Sequence, residues 1–356
     1  MPLDTIYLTR HGHRLNWTID HKTGTYISHF PTPTGNPADP TLTSHGVRQS
    51  LELAAHVSSP SFHPKPFRVY SSPFYRCLQT IQPTVEALKE KQQNLASGDI
   101  EVDADFDVRI ENGIGEWFGP TTFFHHPSPS TSSVLQTHFP GIFASEHTYT
   151  YTYTPHIIPS TRGETIAQLH DRLAATLAAI IADVDIEIAA AEASLPPGAQ
   201  RTSKAILICS HAAPLIAIGR ALTGRMPADS GEEDFNVFTA GLSTFTRRTL
   251  PTTASTAAVE GEGLGSVRGD PLSLLAPGTQ VARPDTTVPD WQGGKGVGGG
   301  WDCVSNGDCS FLRDGAERGW HFNGEESFDT GPMAPSSALP TSSQDTLVER
   351  SGFTKL

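Results

Sequence analysis

The sequence predicts an α/β fold, a three-layer sandwich with a mostly parallel central sheet and helices on both faces, spanning about residues 1–250. Three observations carry this expectation. Residues 5–9 and 205–210 are short apolar runs of the kind buried on both faces of a parallel sheet. Between them Ile166, Leu169, Leu173, Leu177, Ile180, Val184 and Ile188 recur every three or four positions, the strongest helical period in the chain. Finally, each apolar run ends directly at histidine chemistry, Arg10-His11-Gly12 after the first and His211 after the second. Open α/β sheets bind ligands at the carboxyl ends of their strands.

Along the chain, residues 5–9 form the first strand. Thr43 then caps a helix whose apolar positions Val47, Leu51 and Ala54 fall on one face. Residues 68–71 give a second strand, and Ser72-Pro73 opens a helix over about 74–91, in which Pro83 predicts a kink or an earlier end. Residues 103–110 read as a third strand. The stretch 118–163 is rich in Pro, Ser, Thr and His without a sustained period, so it reads as a long, poorly ordered loop inserted over the sheet. The long helix starts at Thr165, spans about seven turns and stops at Pro196-Pro197-Gly198. Residues 213–223 form a short helix and 236–247 a further strand.

Beyond Leu250 the composition changes. Residues 251–300 read as a flexible low-complexity linker. Residues 301–356 read as a short C-terminal segment that packs back through Trp301, Phe311, Trp320 and Phe322, or binds a partner. The 32 Gly and 28 Pro are about 17 % of the chain against a background near 12 %, so the core is smaller than the length suggests.

With 25 Lys and Arg against 38 Asp and Glu, a formal charge of −13, the chain lacks the broad basic footprint of an independent nucleic-acid binder. An anionic substrate therefore needs a local positive pocket. Cys77, Cys209, Cys303 and Cys309 show no C-x-x-C spacing, which argues for a reducing compartment and against zinc. There is no leader-like basic and apolar N-terminus and no run of about 18 apolar residues. The expectation is a soluble cytoplasmic or nuclear protein without membrane contact.

The chemistry concentrates in Arg10-His11-Gly12-His13-Arg14. A neutral imidazole at a strand end can attack phosphorus, and a flanking guanidinium can hold two phosphate oxygens in a fork. Arg76 opens the helix after the second strand, where it and the positive helix N-terminus can face the same anion. His211 is the second strand-end imidazole, placed to stabilise a transferring phosphoryl group. Glu116, beside Trp117, is a carboxyl group that can protonate a leaving oxygen, and Glu111 in the same loop can take that role instead.

Other polar residues read more plainly. His45, His56, His63, His125, His126 and His138 show no metal spacing and read as surface or loop residues, while His13 points away from the pocket. Cys77 and Cys209 read as small buried residues, since no Cys-x5-Arg loop is present. The alternating Tyr149, Tyr151 and Tyr153 read as an edge strand or an aromatic wall, and Trp17 and Arg162 as weaker substrate contacts.

With these residues in view, the chain resembles the histidine phosphatase superfamily, the phosphoglycerate-mutase-like proteins, over about residues 4–247. Thr9-Arg-His-Gly12 looks like its nucleophile motif. Asp39-Pro-Thr-Leu-Thr-Ser-His-Gly-Val-Arg-Gln49 is similar to the segment leading into its first helix. Tyr70-Ser-Ser-Pro-Phe-Tyr-Arg-Cys-Leu-Gln-Thr80 looks like its arginine-bearing turn, and Gly163-Glu-Thr165 like the start of its long helix. The resemblance implies that His11 is the nucleophile, that Arg10, Arg14 and Arg76 with His211 form the phosphate pocket, and that Glu116 donates the proton. It implies no metal or organic cofactor. Ala212 stands where acid phosphatases carry aspartate, and Arg14 where mutases carry a small hydroxyl residue.

Those departures, with Glu116-Trp117, look like the tyrosine-phosphatase-type branch. That branch includes the suppressors of T-cell receptor signalling and the fungal phosphatase-like tau subunits of RNA polymerase III transcription factor C. The stretch 312–322 is also similar to the latter. The implied function is hydrolysis of a phosphomonoester, on a small molecule or a phosphoprotein, through a phosphohistidine. The alternatives are a docking subunit of a transcription complex that binds a protein partner through its C-terminal segment, and a phosphoglycerate-type mutase.

Overall fold

The computed structural model describes residues 2–20, 22–94, 103–143, 153–196, 198, 201–248 and 271–323. The chain runs through β1 (Thr5–Arg10), a hairpin of β2 (Trp17–Asp20) and β3 (Thr25–Ser28), α1 (Ser44–Ser58), β4 (Pro66–Ser71), α2 (Tyr75–Gln93) and β5 (Arg109–Ile110). It continues through α3 (Ser132–His138), β6 (Ile157–Ile158), α4 (Ile166–Ala193), β7 (Ala205–Ser210) and α5 (Ala212–Thr223). The last elements are β8 (Leu242–Arg247), α6 (Pro271–Leu274), β9 (Gln280–Val281) and β10 (Trp301–Asp308). Six strands form one sheet in the order β10-β8-β1-β7-β4-β5. β1, β7, β4 and β5 are parallel; β8 runs antiparallel beside β1, and the edge strand β10 pairs antiparallel with β8 and so runs in the direction of β1. α1 packs on α2 and α4 on α5, so the mostly parallel sheet is flanked by helices. No helix among the described residues is long and apolar enough to cross a membrane.

The local signals behave as physical chemistry requires. Every residue of β7 is buried, as a central parallel strand demands. α4 opens with a capping box, the Thr165 hydroxyl accepting from Gln168 N–H while the Gln168 side chain accepts from Thr165 N–H. Its row Leu169, Leu173, Leu177, Ile180, Val184 and Ile188 is fully buried, each side chain contributing about 1.5–3 kcal/mol. Pro83 lies inside α2 without ending it. The backbone hydrogen bond it forfeits is offset by the buried face Cys77, Leu78, Ile81, Val85 and Leu88.

Several expectations are corrected. α1 presents Gly46, Gln49, Ser50, Leu53, Ala54 and Val57 to the interior, leaving Val47 37 % and Leu51 55 % exposed. Its first turn docks so closely that a Cβ on Gly46 would lie 2.0 Å from the His13 carbonyl oxygen, and this docking, not apolar periodicity, sets the inward face. The expected third strand shrinks to β5, an edge strand matched to β4 at two positions. The expected strand over 236–247 forms only from Leu242, because Ala240 takes a left-handed φ of 54° just before it.

The insertion is not a loose loop in its described parts. Thr131 caps α3, and Leu135, Phe139, Ile142 and Phe143 enter the main core. Residues 144–152 lie outside the described residues. Of the stretch read as linker, 251–270 also lies outside them, whereas 271–300 packs onto the domain. β9 pairs with β6, and Leu275, Val288, Trp291 and Val297 are buried. Single apolar residues without a period leave no sequence signature of such packing. The C-terminal aromatics pack back at separate places. Trp301 and Phe322 are buried, Phe311 stacks on His56 at 4.3 Å, and Phe322 sits 5.6 Å from Trp117. Residues 324–356 lie outside the described residues.

Candidate active site

β1 and β7 pair in register from Thr5↔Ala205 to Arg10↔Ser210, so the two strands end side by side. His11 and His211, each one residue further, therefore face one another with ring centroids 5.3 Å apart. The His11 N–H donates to the Ser210 carbonyl at 3.0 Å, tying the two ends together. β4, on the far side of β7, delivers Ser72, whose hydroxyl lies 2.7 Å from His211 Nε2. Gly12 is required by close approach, since a Cβ there would meet the Gly46 carbonyl oxygen at 2.9 Å.

Arg76 projects from the first turn of α2 and is fully buried. Its Nη1 donates to the Ala38 carbonyl at 3.1 Å and reaches Asp39 Oδ1 at 3.4 Å, while Nη2 donates to Glu116 Oε2 at 2.9 Å and to His211 Nδ1 at 3.1 Å. Asp39 also accepts from the Tyr75 N–H, so one buried carboxylate fixes both the helix start and its arginine. Arg10 spends Nη1 on the carbonyls of Val237 and Arg318, at 2.8 and 2.5 Å. The Nε atoms of Arg10 and Arg76 are buried without a partner among the described residues. Each such donor left unmatched costs about 1–3 kcal/mol, which an anion's oxygens would recover.

Donor atoms of His11, Glu116 and His211 lie within 4.8 Å of one another, close enough in principle for a metal ion. Three guanidinium groups act on the same space, however, and this field favours an anion over a cation.

Burial, then the charges of Arg76, Arg10 and Arg14, holds the His11 imidazole well below its usual range. Its Nδ1 lies 2.9 Å from the Gly12 carbonyl oxygen, which can only accept. Nδ1 therefore carries the proton, and Nε2 keeps a lone pair able to attack an electrophile. His211 is displaced in the same direction by burial and Arg76. Arg10 and Arg14 are pushed down by burial to about 10, which leaves both charged at neutral pH.

These shifts have a consequence for stability. Buried His126 and His170 are also lowered, each to about 4 and first by burial. All four imidazoles stay neutral in the folded chain at pH values where the unfolded chain protonates them. Falling pH therefore favours unfolding, starting below about 6.5, with up to about 1.4 kcal/mol per pH unit for each imidazole. Urea melts at pH 7.5 and pH 5 test this, and an unchanged midpoint would contradict it.

Of the residues expected from the sequence, His11, His211, Arg76 and Glu116 meet directly, and Arg10 and Arg14 border them. Glu111 is elsewhere engaged: its carboxylate accepts from Gly113 N–H, the Tyr153 hydroxyl and His156 N–H, at 2.7, 2.7 and 3.0 Å, which makes it a backbone cap. Tyr153 is thus drawn to Glu111 and forms no wall of the site, while 149–152 lie outside the described residues. His13 turns to the Thr43 hydroxyl at 2.9 Å. His126 lies in a loop, one of the two readings made for it, but is buried there against Phe118 and Tyr26 and is not at the surface. Arg162 braces the carbonyls of Thr122 and Phe124, and Trp17 lies 5.9 Å from the Arg14 guanidinium. Asp39, Gln49, Ser72 and Thr80 complete the surroundings without having been singled out from the sequence. All four lie inside the two quoted motifs, Asp39 and Gln49 at the ends of 39–49 and Ser72 and Thr80 within 70–80, and that was their signal.

Residues 6–123 match the histidine phosphatase superfamily (branch 1). The matched segment includes His11, residues 39–49, Arg76 and Glu116, while His211 lies outside it and is brought beside His11 by the pairing of β1 with β7. Over 225 residues the chain is 32 % identical to the transcription factor tau 55 kDa subunit of Saccharomyces cerevisiae, covering 63 % of this chain and 42 % of that protein. The chain thus spans less than half of that relative's length. Among solved structures it is similar to the ecdysone phosphate phosphatase from Bombix mori in complex with tungstate, at 16 % identity and a TM-score of 0.46, covering 72 % of this chain and 96 % of the other. A phosphoserine phosphatase from Entamoeba histolytica gives 17 % identity and a TM-score of 0.35, covering 68 % and 89 %.

Proposed function

We propose that the chain hydrolyses phosphomonoesters through a phosphohistidine formed on His11. The observation that carries this reading is the convergence of His11, His211 and the Nε atoms of Arg10 and Arg76, which lack a partner among the described residues, beside the Glu116 carboxyl group. In the first step His11 Nε2 attacks phosphorus, the ester P–O bond breaks, and Glu116 gives its proton to the leaving oxygen. In the second step water attacks the phosphohistidine, Glu116 takes the water proton, and phosphate leaves. Arg10, Arg14, Arg76 and His211 hold the phosphoryl oxygens as charge shifts onto them.

A cavity of about 420 Å³ opens beside Glu116, lined by Phe74, Phe118, Pro127, Pro129 and Ile158 among others. This mostly apolar space suits an aryl or alkyl leaving group, a phosphotyrosine side chain included. Two measurements test the reading together. Labelled substrate quenched during turnover should leave an acid-labile, alkali-stable phosphate on the chain, and orthovanadate should inhibit competitively. No label on a chain that turns over, or no inhibition at millimolar vanadate, would remove the basis for it.

A second reading is supported by the 32 % identity to the tau 55 kDa subunit: the chain also works as a nuclear subunit of a transcription complex. Isolation from its native cells under mild conditions tests this. Recovery as a lone active monomer counts for the free enzyme, and co-purification with transcription-factor subunits for the complex. A mutase would transfer the phosphoryl group to a second substrate molecule, and release of free phosphate in its place excludes that alternative.

A further inference from the structure

The stretch 309–322 leaves the edge strand β10 and descends alongside α1 in the opposite direction. Phe311 stacks on His56, the Arg313 N–H donates to Glu52 at 3.2 Å, Asp314 pairs with Arg48, and Glu317 pairs with His45 at 2.5 Å. The contacts thus step from the end of α1 toward its first turn, where the loop carrying His11 is docked. Beyond Arg318 the strap reaches Trp117, next to Glu116, through buried Phe322.

We propose that this strap is part of the active-site machinery, with Glu317 and the backbone of Arg318 positioning the nucleophile loop and Arg10. The proposal rests on the phosphatase reading given above. Two links carry it. The Glu317 carboxylate accepts from Gln49 Nε2 at 3.1 Å, and Gln49 Oε1 in turn accepts from the His13 N–H at 2.8 Å, two residues beyond His11. Because the amide donates on one side and accepts on the other, Glu317 helps decide which way the buried Gln49 faces. The second link is the Arg318 carbonyl, which with that of Val237 occupies Arg10 Nη1 and leaves the buried Nε without a partner among the described residues.

The backbone shows the constraint. Arg318 holds a left-handed φ of 50°, a conformation a non-glycine residue keeps only when its surroundings impose it. Here the Glu317 carbonyl is bonded by the Thr239 N–H at 3.1 Å, and the Arg318 carbonyl by Arg10. The Arg318 charge also acts on Arg10 and Arg14, adding to the field that attracts an anion.

Glu317 is half-buried and lines an open cleft with His13, His45, Asp314 and Arg318, so its truncation leaves no cavity in the core. This makes it the residue to test, in the full chain. Orthovanadate affinity is measured calorimetrically, and kcat and KM with an aryl phosphate. Glu317→Ala is expected to weaken vanadate binding and lower kcat/KM roughly tenfold or more, as loss of a charge-assisted hydrogen bond does, with the melting temperature nearly unchanged. Glu317→Gln keeps an acceptor for Gln49 and should recover most of both. Arg313→Ala, on the same strap but exposed, should match the wild type.

The proposal is overturned if wild-type protein binds vanadate and turns over while Glu317→Ala matches it in kcat, KM and affinity. It also falls if Glu317→Gln is as impaired as Glu317→Ala, or if activity loss only tracks a large drop in melting temperature. Wild-type protein that neither binds vanadate nor turns over would instead defeat the phosphatase reading, and the strap's role with it.

Discussion

Turnover of an aryl phosphate is expected to fall by at least about 10⁴-fold in His11→Ala, because direct attack by water must then replace attack by Nε2. The anion pocket should survive the change. Arg10 and Arg76 are held by carbonyls of Val237, Arg318 and Ala38 and by Asp39, none of which depends on the His11 ring. Vanadate should therefore still bind, more weakly because its bond to the imidazole is lost. Covalent labelling should disappear entirely. The variant also loses one of the depressed imidazoles, so its stability should decline less steeply below pH 6.5 than that of the wild type. A His11→Ala protein with wild-type turnover, or one that still takes up label, would show that the nucleophile lies elsewhere.

The second large effect is expected from Glu116→Gln, and it should depend on the leaving group. Oε2 lies 2.9 Å from Arg76 Nη2 and 3.2 Å from His211 Nδ1, at the edge of the cavity that would receive the departing alcohol or phenol. Without a proton to give, the variant should lose about 10²–10⁴-fold in kcat on an alkyl or phenyl phosphate. On p-nitrophenyl phosphate, whose phenolate leaves unaided, the loss should be far smaller. A loss of equal size on both substrates would sink the proton-donor role. Glu111→Gln provides the contrast: with its carboxylate bonded to Gly113, Tyr153 and His156, it should lower stability and leave the leaving-group dependence intact.

Where the sequence was legible, the determining interactions were local or periodic. The strands β1 and β7, the capped helix α4 with its buried apolar row, and the position of Arg76 in the first turn of α2 all follow from contiguous residues, whereas the pairing of β1 with β7 is a long-range result of the fold. The face of α1 did not follow, because Gly46 and Gln49 are turned inward by a loop 30 residues and more away in sequence. Nor did the choice between Glu111 and Glu116. Both sit in one short loop beside similar neighbours, and only the positions of other segments' donors distinguish a capped carboxylate from one facing Arg76.

The amino-acid sequence by itself determined the layered α/β fold, an imidazole at the end of each of two strands, and the arginines that accompany them. Strand and helix periods and a contiguous motif encode these directly. Only the tertiary structure decided that residues 271–300 belong to the domain, that α1 turns polar groups inward, and that a carbonyl 308 positions from Arg10 orients its guanidinium. The physical reason is that a single buried aromatic or a single long-range hydrogen bond has no period and no neighbour rule. Its place is set when the rest of the chain has already folded around it.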